Sequence, residues 1–99
     1  MQVTSQFHGD EIQVAVTGMV NTDTSPQLRH VMDGLWTQAV KTVQLDLSDV
    51  TYLSSAGVSL LLETRQRVQR QQGRLLIPRA SPHVREVLQT CRLADLLLT

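Results

Sequence analysis

The feature of this chain that most restricts its fold is a repeated change in the spacing of its apolar residues. Apolar and polar residues alternate over 12–16 and again over 43–47. A period of two is typical of strands that bury one face. Between and after these stretches, apolar residues recur every three or four positions, as they do on helices that bury one side. Strands and helices that alternate along a chain predict an α/β fold.

The predicted elements follow the order β-β-α-β-α-β-α. We predict strands at residues 2–7, 11–17, 42–48 and 74–78, and helices at 24–40, from about Ser55 to Gln72, and at 81–91. This order predicts a mixed, mostly parallel sheet with one antiparallel edge strand and with helices packed on it. Residues 1–99 are expected to form a single domain, because no linker, repeat or low-complexity tract interrupts them.

Local signals place the ends of these elements. Gly9-Asp10 is a common hairpin connector. Ser25 and Ser81 each precede a proline, which predicts a serine N-cap with proline at the first helical position. Gly73 is expected to cap the end of the second helix. Pro78 is expected to close the fourth strand, and the apolar tail 93–99 is expected to dock on the domain.

Composition excludes several classes of function. Nine basic and nine acidic residues among 99 give a formal net charge of zero, so no basic surface for nucleic acid or a membrane is expected. Cys91 is the only cysteine, which favours a reducing, cytoplasmic compartment. The amino terminus lacks the pattern of a signal peptide, and the apolar runs are too short for membrane insertion.

Enzyme motifs are absent from the sequence. Leu53 stands where a Gly-x-Ser-x-Gly elbow around Ser55 would need glycine, and there is no phosphate-binding loop. The histidines, at 8, 30 and 83, match no metal-ligand spacing. Asp46 and Asp49 flank a predicted strand end and could hold a cation, but a place in a solvated loop or a capping role is more common. We therefore expect a non-enzyme that has no metal and no cofactor.

The stretch "TYLSSAGVSLLLE", residues 51–63, has two readings. A serine is a preferred N-cap, so Ser54 or Ser55 could simply begin a helix. Gly57 is unfavourable in a first helical turn by about 1 kcal/mol relative to alanine. We interpret it, together with the small Ala56, as giving another surface access to the serine hydroxyl.

The sequence "VQLDLSDVTYLSSAGVSLLLE" resembles the signature of the STAS domain, named for sulfate transporters and anti-sigma factor antagonists. The family pattern is a strand ending in Asp-x-Ser, followed by a serine-glycine turn and a leucine-rich helix. "VTGMVNTDTSPQL" is similar to the family's turn after the second strand, and "GRLLIPRASPHVREVLQTCRLADLL" to its last strand and helix. The resemblance covers nearly the whole chain.

The resemblance implies an anti-sigma factor antagonist in a bacterial partner-switching pathway that regulates transcription. Such a protein binds a serine-kinase anti-sigma factor when unphosphorylated, is inactivated by phosphorylation of one serine, and is reset by a serine phosphatase. The position of that serine is Ser55 here, with Ser54 as the alternative. The residues that the resemblance places in the partner-binding surface are Asn21, Thr22, Asp23, Ser54, Ser55, Ala56, Gly57 and Ser59.

Two other functions remain open at this point. The first is a constitutive STAS adaptor, for example a small cytoplasmic subunit of a lipid-transporting ABC complex, in which the serine-glycine turn is only a docking surface. The second is a small enzyme or nucleotide binder, against which the missing nucleophile–base pair and phosphate loop argue.

Overall fold

The computed structural model describes residues 1–35 and 40–93, and it confirms the α/β fold and the predicted order of elements. The elements are β1 (Gln2–His8), β2 (Glu11–Val20), α1 (Ser25–Leu35), β3 (Thr42–Leu53), α2 (Ser55–Arg70), β4 (Arg74–Ala80) and α3 (Pro82–Thr90). Residues 36–39 of the first predicted helix and residues 94–99 of the predicted apolar tail lie outside the described residues. Val40, predicted as the last residue of that helix, is not helical.

The sheet has the strand order β1-β2-β3-β4. β1 is antiparallel to β2, while β2, β3 and β4 are parallel, as predicted for a mixed sheet. The hairpin between β1 and β2 turns at Gly9 and Asp10, and His8 pairs with Glu11. Gly9 has a φ of 65°, so this tight turn uses the conformation that glycine adopts most readily.

One face of the sheet carries the hydrophobic core. Its buried strand residues alternate with polar ones, and each described helix adds apolar side chains to the same cluster. The fully buried members include Ile12, Val14, Val16, Val20, Val43, Val50, Val68, Ile77, Val84 and Leu88. The opposite face carries polar side chains that line an open groove, among them Gln13, Gln44 and Asp46. Within residues 1–35 and 40–93, the fold is therefore a two-layer arrangement in which no helix covers the second face of the sheet.

The third strand is longer than predicted, because it continues to Leu53 instead of ending at residue 48. Its pairing with β2 shifts register twice, between Ala15 and Thr17 and between Gly18 and Met19 of β2. At each shift β3 advances one residue more than β2, which is the geometry of a β-bulge. The two extra residues put Val50 three positions after Leu47 and Leu53 three positions after Val50, and all three side chains are buried on the inner face, whereas plain alternation buries every second residue.

The fourth strand is also longer than predicted. Pro78 does not close it, since β4 continues to Ala80. The register between β3 and β4 shifts between Gln44 and Asp46, opposite Leu76 and Arg79, so Pro78 lies in a bulge of an edge strand. Proline is tolerated there because no ladder hydrogen bond from its nitrogen is needed.

The structure confirms one of the two predicted serine-proline helix starts. Ser81 caps α3, accepting from the Val84 N–H at 3.3 Å, with Pro82 in the first turn. The prediction for α1 is wrong by one residue, because Ser25 is already helical. Thr24 precedes the helix there, and its carbonyl oxygen accepts from the Leu28 N–H.

The predicted cap at Gly73 is wrong as well, because Gln71 is the C-cap of α2. Gln72 follows in the left-handed region, with a φ of 61°. The Gly73 N–H then donates to the Val68 carbonyl at 2.9 Å, as in a Schellman motif. The role of Gly73 is close packing, since a Cβ there would collide with the carbonyl oxygen of Lys41.

Candidate functional site

The candidate site lies where β2 and β3 end side by side. Val20 and Leu53 are paired residues at the carboxyl ends of these parallel strands. The chain continues from Val20 into a short loop before α1, and from Leu53 into the start of α2. The Ser54 N–H donates to the Val20 carbonyl at 2.8 Å and so ties the two segments together. The structure therefore brings the predicted residues 21–23 to the same edge as 54–59.

Ser54 is the N-cap of α2. The preference of serine for this position predicted that one of the two serines would begin the helix. Its backbone is extended, with φ −85° and ψ 173°, and its hydroxyl oxygen accepts from the Gly57 N–H at 3.4 Å. Its carbonyl accepts from the Val58 N–H at 3.0 Å. Ser54 is half-buried, and its backbone and side chain both take part in fixing the helix start.

Ser55 is the first residue of α2 and is exposed. Within the described part of the chain, its hydroxyl makes no hydrogen bond. The backbone N–H groups of Ser55 and Ala56 have no acceptor there either, as expected for the first turn of a helix. The two neighbouring serines thus have different environments: one hydroxyl serves the fold, and the other faces outward.

Gly57 does not give access to the serine, so our interpretation of it was wrong. Gly57 is buried, and a Cβ built there would lie 2.5 Å from Leu53 Cδ1 and 2.9 Å from Val20 Cγ1. Its missing side chain therefore faces the core. It lets the first turn of α2 lie directly on the ends of β2 and β3, which explains why a poor helix former stands at this position.

Asn21 organises the loop between β2 and α1. Its Oδ1 accepts from the N–H of Asp23 at 2.9 Å and of Thr24 at 3.0 Å. The Thr24 hydroxyl accepts from the Asn21 N–H at 2.9 Å and donates to the Met19 carbonyl at 2.8 Å. A short polar side chain that bonds the backbone two residues on makes a stable Asx turn. The loop is therefore held by its own side chains.

Exposure divides the predicted site residues into three groups. Thr22, Asp23, Ser55 and Ser59 are exposed, Asn21, Ser54 and Ala56 are half-buried, and Gly57 is buried. The exposed members can contact a partner directly, and the others hold the loop and the helix start in place. The edge is thus a preformed surface whose outward side chains are small and polar.

Sequence reasoning missed two apolar side chains at this edge. Met19 is 49% exposed and Tyr52 is 43% exposed, and the two are paired residues on β2 and β3. The Tyr52 ring stacks on the His83 ring of α3, with 5.4 Å between ring centroids. The sequence could have singled out Tyr52, because aromatic residues are scarce in this chain and this one lies three positions before Ser55.

Asp46 and Ser48 form a local clasp on β3 next to the first bulge. Asp46 Oδ1 accepts from the Ser48 hydroxyl at 2.6 Å and from the Ser48 N–H at 3.0 Å. The bond from the Ser48 hydroxyl, and to a smaller extent the bond from the Ser48 N–H, hold the pKa of the Asp46 carboxyl below its usual value. The positive charge of Arg79 adds to the effect. The expected loop or capping role of Asp46 is wrong, because β3 continues to Leu53 and Asp46 lies inside the strand, where its carboxylate bonds Ser48.

Residues 1–35 and 40–93 contain neither a metal-binding cluster nor a membrane-spanning helix. No group of three or more His, Cys, Asp or Glu side chains there could hold a metal ion. None of the helices in these ranges is long and apolar enough to cross a membrane.

The fold and the serine-capped helix start are those of a STAS domain. A family model described as "Mlab, STAS domain" matches residues 3–99, so the chain belongs to the STAS domain family. A candidate anti-sigma factor antagonist, BtrV of Bordetella bronchiseptica, is 33% identical over 72 residues. That match covers 73% of this chain but only 62% of the length of BtrV.

Solved structures show the same fold. An anti-sigma factor antagonist from Mycobacterium paratuberculosis superposes with a TM-score of 0.86 at 21% identity, covering 98% of this chain and 83% of the other. The unphosphorylated form of the anti-sigma factor antagonist SpoIIAA gives a TM-score of 0.85 at 20% identity, covering 99% and 86%. At these identities the likeness establishes the architecture only.

Proposed function

We propose that this protein is an anti-sigma factor antagonist of the cytoplasm, a binding protein and not an enzyme, which is regulated by phosphorylation of Ser55. In its unphosphorylated form it binds a serine-kinase anti-sigma factor, and a serine phosphatase restores that form. The observation that carries the proposal is the exposed Ser55 hydroxyl on a fixed helix start, which makes no hydrogen bond to the described residues. The names of the related proteins support the same class of function.

The environments of the two serines favour Ser55 over Ser54 as the acceptor. A kinase must bring the serine oxygen into line with the terminal phosphate of ATP, which requires an accessible hydroxyl. The Ser54 hydroxyl is half-buried and accepts the Gly57 N–H, so phosphorylation there would remove the helix cap. Phosphorylation of Ser55 leaves that cap intact.

A phosphate on Ser55 is compatible with the fold. It adds about −1.5 to −2 charges at pH 7. The positive end of the helix dipole stabilises a negative charge at this position, as do the N–H groups of Ser55 and Ala56, which have no acceptor among the described residues. The expected effect is therefore on the partner, which loses an uncharged polar contact and meets a bulky dianion, while α2 stays in place.

The proposed partner surface includes the exposed residues Thr22, Asp23, Ser55 and Ser59, with Asn21, Ser54, Ala56 and Gly57 holding them in position. We add Met19 and Tyr52 to this surface, because exposed apolar side chains beside small polar ones are typical of protein interfaces.

The direct test is phosphorylation by each serine-kinase anti-sigma factor encoded in the source genome, with ATP and phosphosite mass spectrometry. We expect one of these kinases to place a single phosphate on Ser55. Ser55→Ala should abolish it. Ser5→Ala, at an exposed serine of β1 outside the proposed partner surface, is the matched control and should be phosphorylated normally.

Ser54→Ala distinguishes the two adjacent serines. It should lower the free energy of unfolding by about 1 kcal/mol through loss of the cap but leave Ser55 phosphorylated. A phosphate on Ser54 in the wild-type protein would contradict the choice of acceptor. Absence of phosphate on either serine with every kinase would contradict the regulated function.

Binding to the same kinase tests the surface. Ser55→Asp should weaken binding at least tenfold, and so should Tyr52→Ala or Met19→Ala if the apolar pair lies in the interface. Phe7→Ala is the matched control, because Phe7 is 50% exposed but lies near the opposite end of β2, paired with Ile12. Equal losses from Phe7→Ala and Tyr52→Ala would argue against a specific role for the pair.

The constitutive adaptor is the competing function that these experiments separate. If the protein copurifies with a transporter ATPase, and Ser55→Asp leaves that complex unchanged, the adaptor function is correct and the phosphorylation switch is not. Both functions use the same edge of the sheet, so the modification state of Ser55 is what distinguishes them.

A further inference from the structure

The outer edge of β1 is an unpaired strand edge. β1 is the first strand in the order β1-β2-β3-β4, and within residues 1–35 and 40–93 only β2 pairs with it. Its outward N–H and C=O groups therefore have no strand partner in that part of the chain. Such a row of groups is a template for pairing with another strand.

The two edge strands of the sheet differ in how they are protected. β4 has two arginines, a proline and a bulge, all of which hinder the addition of a further strand. β1, with the sequence QVTSQFH, has no charged residue and no proline. Its pairing with β2 runs without a register shift from Gln2 opposite Thr17 to His8 opposite Glu11. β1 is thus a regular, uncharged edge seven residues long.

β1 also presents apolar side chains on the helix side of the sheet. Val3 pairs with Val16 and Phe7 with Ile12, and both of those β2 residues are buried on the inner face. Val3 and Phe7 therefore share that face, with Ser5 between them. Phe7 is nevertheless 50% exposed, so the apolar layer is incomplete at this edge.

We propose that β1 pairs with β1 of a second copy of this chain, antiparallel about a two-fold axis at Ser5. This register pairs every residue of the strand: Ser5 faces Ser5 of the other copy, and Val3 faces Phe7 of the other copy on the inner face. Registers centred on a neighbouring residue leave the strand ends unpaired. Registers centred between residues would place inner-face residues opposite outer-face ones.

The expected product is a symmetric dimer with one continuous sheet of eight strands. A two-fold contact is self-complementary, and each copy supplies the apolar partner that the other lacks. Charge does not oppose it, because β1 is uncharged and the formal net charge of the chain is zero. The contact lies at the opposite side of β2 from β3 and does not involve Ser54 or Ser55.

Cysteine cross-linking tests the register in a Cys91→Ser background, since native Cys91 is exposed. Ser5→Cys should form a disulfide-linked dimer under mild oxidation, because the two-fold axis brings these residues together. Gln2→Cys is the matched control on the same strand. In the proposed register its two copies are offset by six residues, about 20 Å, and should not cross-link. Equal cross-linking at both positions would overturn the register.

Sedimentation velocity tests the dimer itself with the full chain. We expect the wild-type protein to dimerise reversibly as its concentration is raised. Ser5→Lys places two like charges opposite each other and should weaken dimerisation at least tenfold. Gln13→Lys, an exposed position on β2 away from the edge, should leave it unchanged. A wild-type protein that stays monomeric, or a Ser5→Lys variant that dimerises normally, would refute the proposal whatever the outcome at Ser55.

Discussion

At the scale of single residues, Gly57 links the site to the core. The helix start can carry an exposed serine beside the sheet edge only because Gly57 allows the backbone of α2 to approach Val20 and Leu53. The residue is therefore structural, although it belongs to the sequence motif from which the function was inferred. Substitution of Gly57 should therefore act mainly on the free energy of unfolding and less on binding of the proposed partner.

Gly57→Ala should lower the free energy of unfolding by about 1 kcal/mol. The new methyl group overpacks the core at a cost of about 1–3 kcal/mol, and the better helix propensity of alanine offsets about 1 kcal/mol of it. Gly34→Ala in α1 is the control, because a Cβ there meets no described atom within 4 Å. Urea unfolding should show loss at Gly57 and a small gain at Gly34; a gain at both positions would contradict the packing argument.

The Asp46–Ser48 clasp should make stability depend on pH. The folded state lowers the pKa of Asp46, so its carboxylate contributes stability above the usual aspartate pKa, and that contribution is lost as pH falls through the lowered value. Asp46→Asn should therefore be less stable than wild type at pH 7, and the difference should shrink towards pH 3. Ser48→Ala should behave in the same way. Chemical unfolding across this pH range measures both, and a constant difference would exclude the carboxylate as the cause.

At the scale of elements, α1 and α2 are joined by two reciprocal ion pairs. Arg29 pairs with Glu63, and Asp33 pairs with Arg67 at 2.8 Å. On each helix the two charges are four residues apart, so both pairs lie along one line of contact. All four side chains are about half-exposed, so each pair stabilises the helix packing only modestly.

A double-mutant cycle of Arg29→Ala and Glu63→Ala should give a coupling energy of about 0.2–1 kcal/mol at low salt. The coupling should fall in about 1 M salt, because exposed charges are screened. Thermal or urea unfolding of the four proteins gives the value. A coupling that is equally large at high salt would mean that the contact is not mainly electrostatic.

The sequence predicted which elements exist better than it predicted where they end. Alternation identified β2 and β3, but the bulges in β3 put Val50 and Leu53 three residues apart and hid the last five residues of that strand. Ser54 was recognised as a cap because its chemistry is local. The burial of Gly57 and the pairing of Met19 with Tyr52 depend on the approach of β2 to β3, which no local pattern records.

At the scale of the whole molecule, one hydrophobic cluster joins the sheet to the three helices. A chain of 99 residues has only one core, and its total stability is expected to be about 5–15 kcal/mol. A large loss at any fully buried position should therefore destabilise the protein as a unit, including the site edge.

Leu88→Ala should remove a large part of that stability. Leu88 of α3 is fully buried in the cluster, and truncating such a leucine costs about 2–5 kcal/mol. Leu62→Ala, at a half-buried position of α2, should cost clearly less. Circular dichroism during urea unfolding compares the two variants, and similar losses would contradict the assignment of Leu88 to the centre of the core.

Because β3 contains two bulges, the chain needs a fixed number of residues between Leu47 and Ser54. Deleting one residue there would reverse the orientation of Val50 or Leu53 and present Ser55 in a different direction. The Gly9-Asp10 turn is exposed, but it is constrained as well, because the Asp10 carbonyl accepts from the N–H groups of Lys41 and Thr42. Among descendants of this chain, the length of β3 should therefore stay constant for as long as Ser55 is selected.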